Sequence, residues 1–332
     1  NRVLVGSGAT IREMNLVRKH LSGIKGGLLG QLVSRTKCVA LYISDVNTGD
    51  LLSIASNPLL PDDATLEEFY CVVERYRLAE KLPRSISDLI SRRRIQPLPN
   101  GSPATGGANE SEIGTAMGAS VENRAPSTAG PGVHGIAGMD SYDSRKSTPN
   151  WFRRGNLIGT MLMDNRIALD AAAGAARLAG FNPITLNDLV EGKYEVVADA
   201  MIDRLIEFRS QGMSGPVCLI SGGEVVCPLY SAGTGGRNQE FVLYCAAKLA
   251  SRLPDQKVCI LSCGTDGIDG NSPAAGAAVD PMVADAAVRA GLDPGDFINR
   301  NDSFSFFRAG GGLIITGPTG NNVRDIRLLL SY

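Results

Sequence analysis

Pro216-Val217-Cys218-Leu219-Ile220-Ser221-Gly222-Gly223-Glu224 is a short apolar run that delivers a glycine turn, and this pattern recurs through the last third of the chain. Thr234-Gly235-Gly236-Arg237-Asn238-Gln239-Glu240, Gly264-Thr265-Asp266-Gly267-Ile268-Asp269-Gly270 and Thr316-Gly317-Pro318-Thr319-Gly320-Asn321-Asn322 each lie beside a β-type run. Glycine lets a backbone approach a ligand with no Cβ in the way. A turn that leads into a helix aims free N–H groups at an anion. Several such turns in one domain point to a polyphosphate site built from backbone amides, and so to a nucleotide-using enzyme.

The elements around these loops follow from periodicity. Residues 238–253 read as a helix, 257–262 as a strand, 281–290 as a helix, and 312–316 as the last strand before a final helix at 323–330. Upstream, 157–163 reads as a strand, 165–178 and 195–210 as helices, and 225–229 as a hairpin partner of the 216–220 strand. A short helix follows Asn301-Asp302-Ser303. Near the start, Thr10-x-x-Glu13 and Thr65-x-x-Glu68 are capping boxes. The first opens a helix with Ile11, Met14, Val17 and Leu21 on one face, and the second a helix running to about Leu78. A short helix follows Pro83, and Cys38–Ile43 is a buried strand. Alternating strands and helices argue for a layered α/β fold with largely parallel sheets. Residues 95–150 are dominated by Gly, Ser, Pro, Ala, Asn and Thr, and read as a flexible low-complexity insertion.

The chain has 332 residues, 43% hydrophobic and 20% charged, with a formal charge of −1. That composition is globular and the length suggests roughly two domains. No basic field recruits nucleic acid, and no apolar run approaches the ~20 residues of a membrane span. Seven cysteines, an odd number, read as small buried hydrophobes in a reducing cytoplasm. Cys259 and Cys263 bracket strand-like residues with no histidine after them, which disfavours zinc. Only His20 and His134 exist, so histidine-based nucleophilic catalysis has almost no base to use. The chain opens Asn1-Arg2-Val3 with no initiator Met and no strand before its first helix. The expectation is that coding sequence upstream is missing.

No G-x-x-x-x-G-K-[ST] loop, no G-x-G-x-x-G between strand and helix, and no protein-kinase signature set occurs. Any nucleotide site is therefore of a less familiar type. Asn238 can cap its helix, but Arg237 at the positive end of a helix macrodipole calls for an anion beside it. Asp266 and Asp269 flank glycines, and with Glu224 supply carboxylates that suit a Mg²⁺ keeping several waters. Arg18-Lys19-His20 reads as a polar helix face, and Lys25 lies beside two glycines.

These residues resemble a known family. Ser7-Gly8-Ala9, Glu13-Met14-Asn15, Val17-Arg18-Lys19-His20-Leu21-Ser22 and Ile24-Lys25-Gly26-Gly27 resemble the glycerate 2-kinases, also called MOFRL-type glycerate kinases. So do Ser44-Asp45-Val46, Glu74-Arg75-Tyr76, and the four glycine loops with Ala274-Ala275-Gly276 and Asn301-Asp302-Ser303. The resemblance covers nearly everything outside 95–150. It implies ATP-dependent phosphorylation of D-glycerate to 2-phosphoglycerate, with Mg²⁺, by two layered, Rossmann-like α/β domains with the site between them. On that division residues 1–94 are the C-terminal portion of an incomplete first domain, 95–150 the insertion, 151–181 a return to the first domain or the inter-domain connection, and 182–332 the MOFRL-type domain. A monomer or homodimer working on small molecules in the cytoplasm is expected.

Three departures accompany the match. The family's upstream Gly-Lys turn, with the lysine usually placed in catalysis, and its Ser-Gly-Gly-Gly-Ser-Ala loop have no counterpart. Its Ser-Gly-Pro-Thr appears as Ser56-Asn57-Pro58-Leu59, and the insertion is atypical. Within the resemblance, Arg237, Lys19, Arg18 and Asp45 are the catalytic candidates. Ser221, Gly222, Gly223, Gly235, Gly236, Asn238, Thr265, Asp266, Thr316 and Gly317 would hold nucleotide, and Glu224, Asp266 and Asp45 the metal. The alternatives are a nicotinamide-dependent hydroxypyruvate reductase, against which the missing G-x-G-x-x-G argues, and an inactive truncated chain.

Overall fold

The computed structural model describes residues 1–46, 52–92, 95, 97–98, 157–188, 191–212, 215–252 and 257–332. The low-complexity insertion expected at 95–150 therefore lies almost wholly outside the described residues. The chain divides into two units, residues 1–42 with 49–162 and residues 43–48 with 163–332.

The first unit holds α1 (Arg2–Val5), α2 (Ile11–His20), α3 (Leu28–Val33), β1 (Cys38–Ile43), α4 (Leu66–Arg75), α5 (Leu78–Lys81), α6 (Arg84–Ser91) and β2 (Leu157–Met163). β1 pairs with β2. Both capping boxes form: Thr10 and Glu13 exchange side-chain-to-backbone hydrogen bonds at the start of α2, as do Thr65 and Glu68 at α4. Val17 of α2 packs with Phe69, Val72 and Val73 of α4 and Leu78 of α5. The helix expected to reach Leu78 stops at Arg75, because Arg77 takes a left-handed φ of 50° and starts α5 in a new direction.

The second unit holds α7 (Asn165–Leu178), β3 (Asn182–Thr185), β4 (Glu191–Lys193), α8 (Tyr194–Ser210), β5 (Val217–Ser221), β6 (Glu224–Val226), α9 (Arg237–Arg252), β7 (Val258–Gly264), β8 (Gly276–Val279), α10 (Pro281–Arg289), α11 (Pro294–Asn299), α12 (Ser303–Gly310), β9 (Leu313–Ile314) and β10 (Asp325–Ser331). The main sheet runs β3-β5-β10-β7-β8-β9. Side chains alternate across a strand, and in β10 this sorts the two layers. Leu329 joins the core with Met201, Ile202 and Leu205 of α8 and Phe241 of α9. Ile326, Leu328 and Leu330 pack on the other face against Leu169 and Ala173 of α7. α8 and α9, with Ala287 of α10 and Phe306 and Phe307 of α12, cover one face and α7 the other, the three-layer α/β arrangement.

Residues 323–330 are not the expected final helix. Val323, Ile326 and Leu330 fit a helix face, while Ile326, Leu328 and Leu330 fit the alternation of a strand equally well. The open slot between β5 and β7 decides, with Leu329 opposite Leu219 on one side and Ile260 on the other. The strand directions differ from expectation too. β3–β5 and the small β4–β6 pair are parallel, whereas β10 runs antiparallel to both β5 and β7, and β7–β8 and β8–β9 are antiparallel. Residues 225–229 form no hairpin with β5, since β6 pairs with β4. α7 lies with the second unit, which puts residues 163–181 there rather than with the first. Cys218 and Cys245 are buried thiols, and all seven cysteines are free.

Because Leu329 is fully buried in the middle of the central strand, Leu329→Ala should lower the unfolding free energy by about 2–5 kcal/mol in urea titration.

Candidate active site

Three of the four glycine loops meet around one ion cluster, and the fourth, Thr316–Asn322, hydrogen-bonds through Thr319 to Thr265 and Asp266 of the third. Asp325, the first residue of β10, faces the N-terminus of α9 and is 0% exposed. Arg237, the first residue of α9, donates from Nε to Asp325 Oδ2 at 2.7 Å and from Nη2 to Oδ1 at 3.0 Å. Its Nη1 lies 2.7 Å from Glu224 Oε1. Asn238 Nδ2 adds a further hydrogen bond to Asp325 Oδ1 at 3.1 Å. The backbone N–H of Asp325 donates to the Gly223 carbonyl, which ties the Ser221–Glu224 turn to the same point. Asn165, at the start of α7, fixes the other side: its Oδ1 accepts from Gly223 N at 2.9 Å and its Nδ2 donates to the Asp325 carbonyl at 3.0 Å. Burial works to lower the Arg237 guanidinium, but hydrogen bonding to Asp325 and the charges of Asp325, Glu224 and Asp269 raise it. It stays a cation, with 34% of its side chain exposed.

An anion does sit at the α9 N-terminus, and it belongs to the protein. Asp269 Oδ1 accepts from Asn238 N at 3.1 Å, and its Oδ2 accepts from Gln239 N at 2.9 Å. Asp269 therefore caps the helix from the Gly264–Gly270 loop, and Asn238, expected as cap, instead bridges Asp269 and Asp325. Burial raises the Asp269 carboxyl, while the hydrogen bonds from Gln239 and Asn238 pull it down.

Several glycines are there for loop packing rather than ligand approach. A Cβ on Gly222 would land on the Asn165 side chain, on Gly235 on the Ser303 hydroxyl, and on Gly236 on Asp269. Gly317 and Gly320 differ, since nothing lies within 4 Å of a Cβ there. Ser221 is fully buried and accepts from Arg327 Nη2 at 3.3 Å. Thr265 Oγ1 donates to the Arg324 carbonyl at 2.7 Å, Thr316 Oγ1 to the Gly317 carbonyl at 2.9 Å, and Asp266 Oδ1 accepts from Ile268 N at 3.1 Å.

A cavity of about 540 Å³ opens beside Arg237, bounded by Val225, Cys227, Leu229, Gly233, Gly270 and Glu240. Glu240, one turn along α9 from Arg237, is 1% exposed, and neither carboxyl oxygen has a well-formed hydrogen bond. Burial pushes its carboxyl up to about 7, against the pull of the nearby Ser303 hydroxyl and N–H. The sequence reading missed Asp325, Asn165 and Glu240 as site residues. Of these, only Glu240 sits in a quoted motif.

In the first unit the proposed cations are already engaged. Lys19 Nζ lies 2.7 Å from Asp62 Oδ2, with both side chains largely buried. Arg18 donates to Asn15 Oδ1 at 3.1 Å and to Asn1 Oδ1 at 3.3 Å. His20 is buried rather than on a solvated face, and Lys25 donates to the Ala55 carbonyl at 2.7 Å. Ala55, Ser56 and Asn57 all have positive φ, 50°, 59° and 51°. Asn57, which replaces the glycine of the family pattern, tolerates that conformation better than other side chains. It donates to Asp62 Oδ2 at 3.1 Å and so holds the partner of Lys19.

Among the described residues, no group of three or more His, Cys, Asp or Glu side chains is placed to cage a metal. Glu224, Asp266 and Asp45 thus form no such cluster. Glu224 is paired with Arg237, and Asp45 offers its carbonyl to Arg324 Nε at 2.7 Å.

The MOFRL family profile matches residues 217–325, the segment that builds this site, and a domain of unknown function (DUF4147) matches residues 1–91. A glycerate kinase of Macaca fascicularis is 33% identical over 332 residues, covering 99% of this chain and 81% of that protein. The chain belongs to the glycerate kinase family. A crystal structure of glycerate kinase from Thermotoga maritima superposes with a TM-score of 0.74 at 29% identity, over 100% of this chain and 66% of that one. An Agrobacterium vitis protein that carries the name hydroxypyruvate reductase is 36% identical over 99% of this chain and 72% of its own length.

Asp325→Ala should cost about 3–5 kcal/mol in chemical denaturation, because it strips the buried partner from Arg237. Glu240 gives a pH signature of the opposite sign. Its folded pKa is raised, so the stability it contributes is present below its ordinary carboxylate value and is lost as pH rises towards about 7. Glu240→Gln is therefore expected to raise the melting midpoint at about pH 8 and to change it much less at about pH 5.

Proposed function

We propose that this chain carries the chemistry of a glycerate kinase: transfer of the γ-phosphoryl group of ATP to a hydroxyl of D-glycerate, giving 2-phosphoglycerate and ADP. The observation that carries this reading is Arg237. It is a partly exposed guanidinium locked by Asp325 and Glu224 where three of the glycine loops converge, in a chain one third identical to a glycerate kinase along nearly its whole length.

Phosphoryl transfer needs charge neutralisation and in-line positioning more than covalent chemistry. Asp325 uses two of the five N–H groups of Arg237 and Glu224 a third, which fixes the plane of the guanidinium. The remaining donors, on a side chain 34% exposed, are left for a phosphoryl oxygen or the glycerate carboxylate. Preorganised donors of this kind cost no reorientation in the transition state. The hydroxyl oxygen attacks the γ-phosphorus, the bond to the ADP oxygen breaks, and the hydroxyl proton leaves to a nearby carboxylate, for which Glu224 and Asp266 are the candidates. The open backbone at Gly317 and Gly320, beside Thr316, is where a phosphate chain can approach most closely. Mg²⁺, which binds through one or two carboxylates plus phosphates and water, would neutralise the phosphate charge. Glu224, Asp266 and Asp45 suit that sparse mode and do not suit a full protein cage. The same reading places the chain in the cytoplasm, supported by seven unpaired cysteines. No helix among the described residues is long and apolar enough to cross a membrane.

The test incubates the protein with D-glycerate and either ATP or NAD⁺. ADP and phosphoglycerate are expected, and Arg237→Ala should lower kcat/KM by roughly 10²–10³-fold, as for the loss of one preorganised donor. Turnover of the variant within a few-fold of the parent would remove Arg237 from the mechanism. NADH formation without ADP would favour the reductase named among the relatives.

A further inference from the structure

We propose that Asn165 is a positioning residue for phosphoryl transfer: its side-chain amide stands in for a peptide group where β5 and β10 part, and so sets where Arg237 directs its remaining donors. This rests on the reading that Arg237 meets the phosphoryl group or the glycerate, and it adds what holds that guanidinium in place.

The two carboxylates that grip Arg237 come from different strands. Asp325 opens β10, and Glu224 opens β6 just after the turn that ends β5. The ladder between β5 and β10 has its last register pair at Ser221 and Arg327, short of Asp325. Beyond that pair the chain turns away from β10 through Gly222 and Gly223, the latter at a left-handed φ of 85°. A backbone bond crosses the gap, from the Asp325 N–H to the Gly223 carbonyl at 3.0 Å. Asn165 fills it further. Its Oδ1 accepts from Gly223 N at 2.9 Å, and its Nδ2 donates to the carbonyls of Asp325 at 3.0 Å and Val323 at 2.7 Å. An acceptor towards one chain and a donor towards the other is what a neighbouring peptide group presents in a sheet.

Simpler roles do not fit the geometry. Asn165 does not cap α7, because Asp164 does, its Oδ1 accepting from Ile167 N at 2.8 Å. Both amide protons of Asn165 go to carbonyls, so neither is left for a ligand. A flipped amide would set oxygen against two carbonyls and nitrogen against an N–H, so one orientation is specified. Gly222 has to lack a side chain for this contact, since a Cβ there would land on Asn165 Oδ1. Along the same helix, Leu169 and Ala173 seat α7 on Cys218 and Ile220 of β5 and on Ile326 and Leu328 of β10. Asn165 thus projects from a helix packed on both strands that it joins. Such a base can hold a functional donor within the ~0.5 Å that a productive site requires.

The test follows the Nε–H nuclear magnetic resonance signals of the arginines in Asn165→Asp and Asn165→Ala. Asn165→Asp keeps the acceptor for Gly223, removes both donors, and puts its charge in the first turn of α7, where the dipole favours it. The Arg237 signal, assigned by its loss in Arg237→Lys, reports the Nε bond to Asp325. Arg209, whose Nε donates to Ser331 Oγ at 3.1 Å at the other end of β10, is the control for the fold. In both variants the Arg237 signal should move while that of Arg209 stays. With D-glycerate and ATP, kcat/KM should fall by roughly 10–10²-fold, the scale for losing a group that orients a functional one. In an Arg237→Ala background the same substitutions should cause no further loss, because the group they displace is gone. An Arg237 signal that does not move while Arg209 keeps its own overturns the proposal. So does an equal loss of turnover in both backgrounds, or unchanged turnover in an active parent. Loss of both arginine signals in both variants overturns it as well, since Asn165 would then support the fold alone. A parent that phosphorylates no glycerate removes the kinase reading, and the two arginine signals then decide by themselves whether Asn165 places Arg237.

Discussion

The carboxylate of Asp325 is the point on which the second unit's site depends. An ionised carboxyl with no exposure is costly unless it is paired and hydrogen-bonded. Here it receives Nε and Nη2 of Arg237 and Nδ2 of Asn238. Its place is set by strand geometry. β10 fills the slot between β5 and β7, and alternation along the strand sends Asp325, Arg327 and Leu329 to the face that α9 covers. Leu329 buries hydrophobic area in that layer, while Asp325 and Arg327 put charge into it four and two residues earlier on the same face. The strand that completes the sheet therefore also positions the guanidinium.

That charge is balanced locally. Arg327 is fully buried, and burial pushes its guanidinium down to about 10, with Asp325 pulling it back up. Arg237, Arg327, Asp325, Asp269 and Glu224 make a cluster in which carboxylates outnumber guanidiniums. An arginine opening a helix faces the wrong end of the macrodipole, and the sequence reading expects a bound anion between it and the helix N–H groups. The structure supplies that anion internally, twice. Asp269 takes the helix N–H groups, and Asp325 takes the side chain. What remains for a ligand is the outward edge of the guanidinium, not the helix terminus.

How much of this could be read from the sequence divides by range. Capping boxes at Thr10 and Thr65 act over three residues and are legible. The alternation that builds an α/β layer is legible, and so is the involvement of Arg237. The strand character of β10 is not, since Val323, Ile326 and Leu330 fit helical spacing as well as Ile326, Leu328 and Leu330 fit alternation. The partners of Arg237 and Gly223 are also beyond local reading. Asp325 and Asn165 lie far away in the chain, and neither belongs to a motif that signals its role. The glycine loops were legible as close-approach points, but a sequence does not say what approaches. At Gly222 it is the Asn165 side chain, at Gly235 Ser303 and at Gly236 Asp269, whereas nothing lies within 4 Å of a Cβ at Gly317 or Gly320.

Local rules are broken at a few places only, and these are informative because consistency across levels is what makes a chain foldable. In the first unit, three consecutive non-glycine residues, Ala55 to Asn57, hold positive φ, each at a cost of about 1–3 kcal/mol. The contacts that hold them run through Asn57 to Asp62 and on to Lys19. In the second unit the exceptions are a buried carboxyl without well-formed partners at Glu240 and a fully buried cation at Arg327. Leucine at either position would fill similar space without the desolvation cost. Neither exception is explained by packing, and both lie within two turns of strand or helix from Arg237. Buried charge gathered at one end of the second unit's sheet marks where packing alone does not set the residue type, and that is the end at which Arg237 keeps part of its guanidinium exposed.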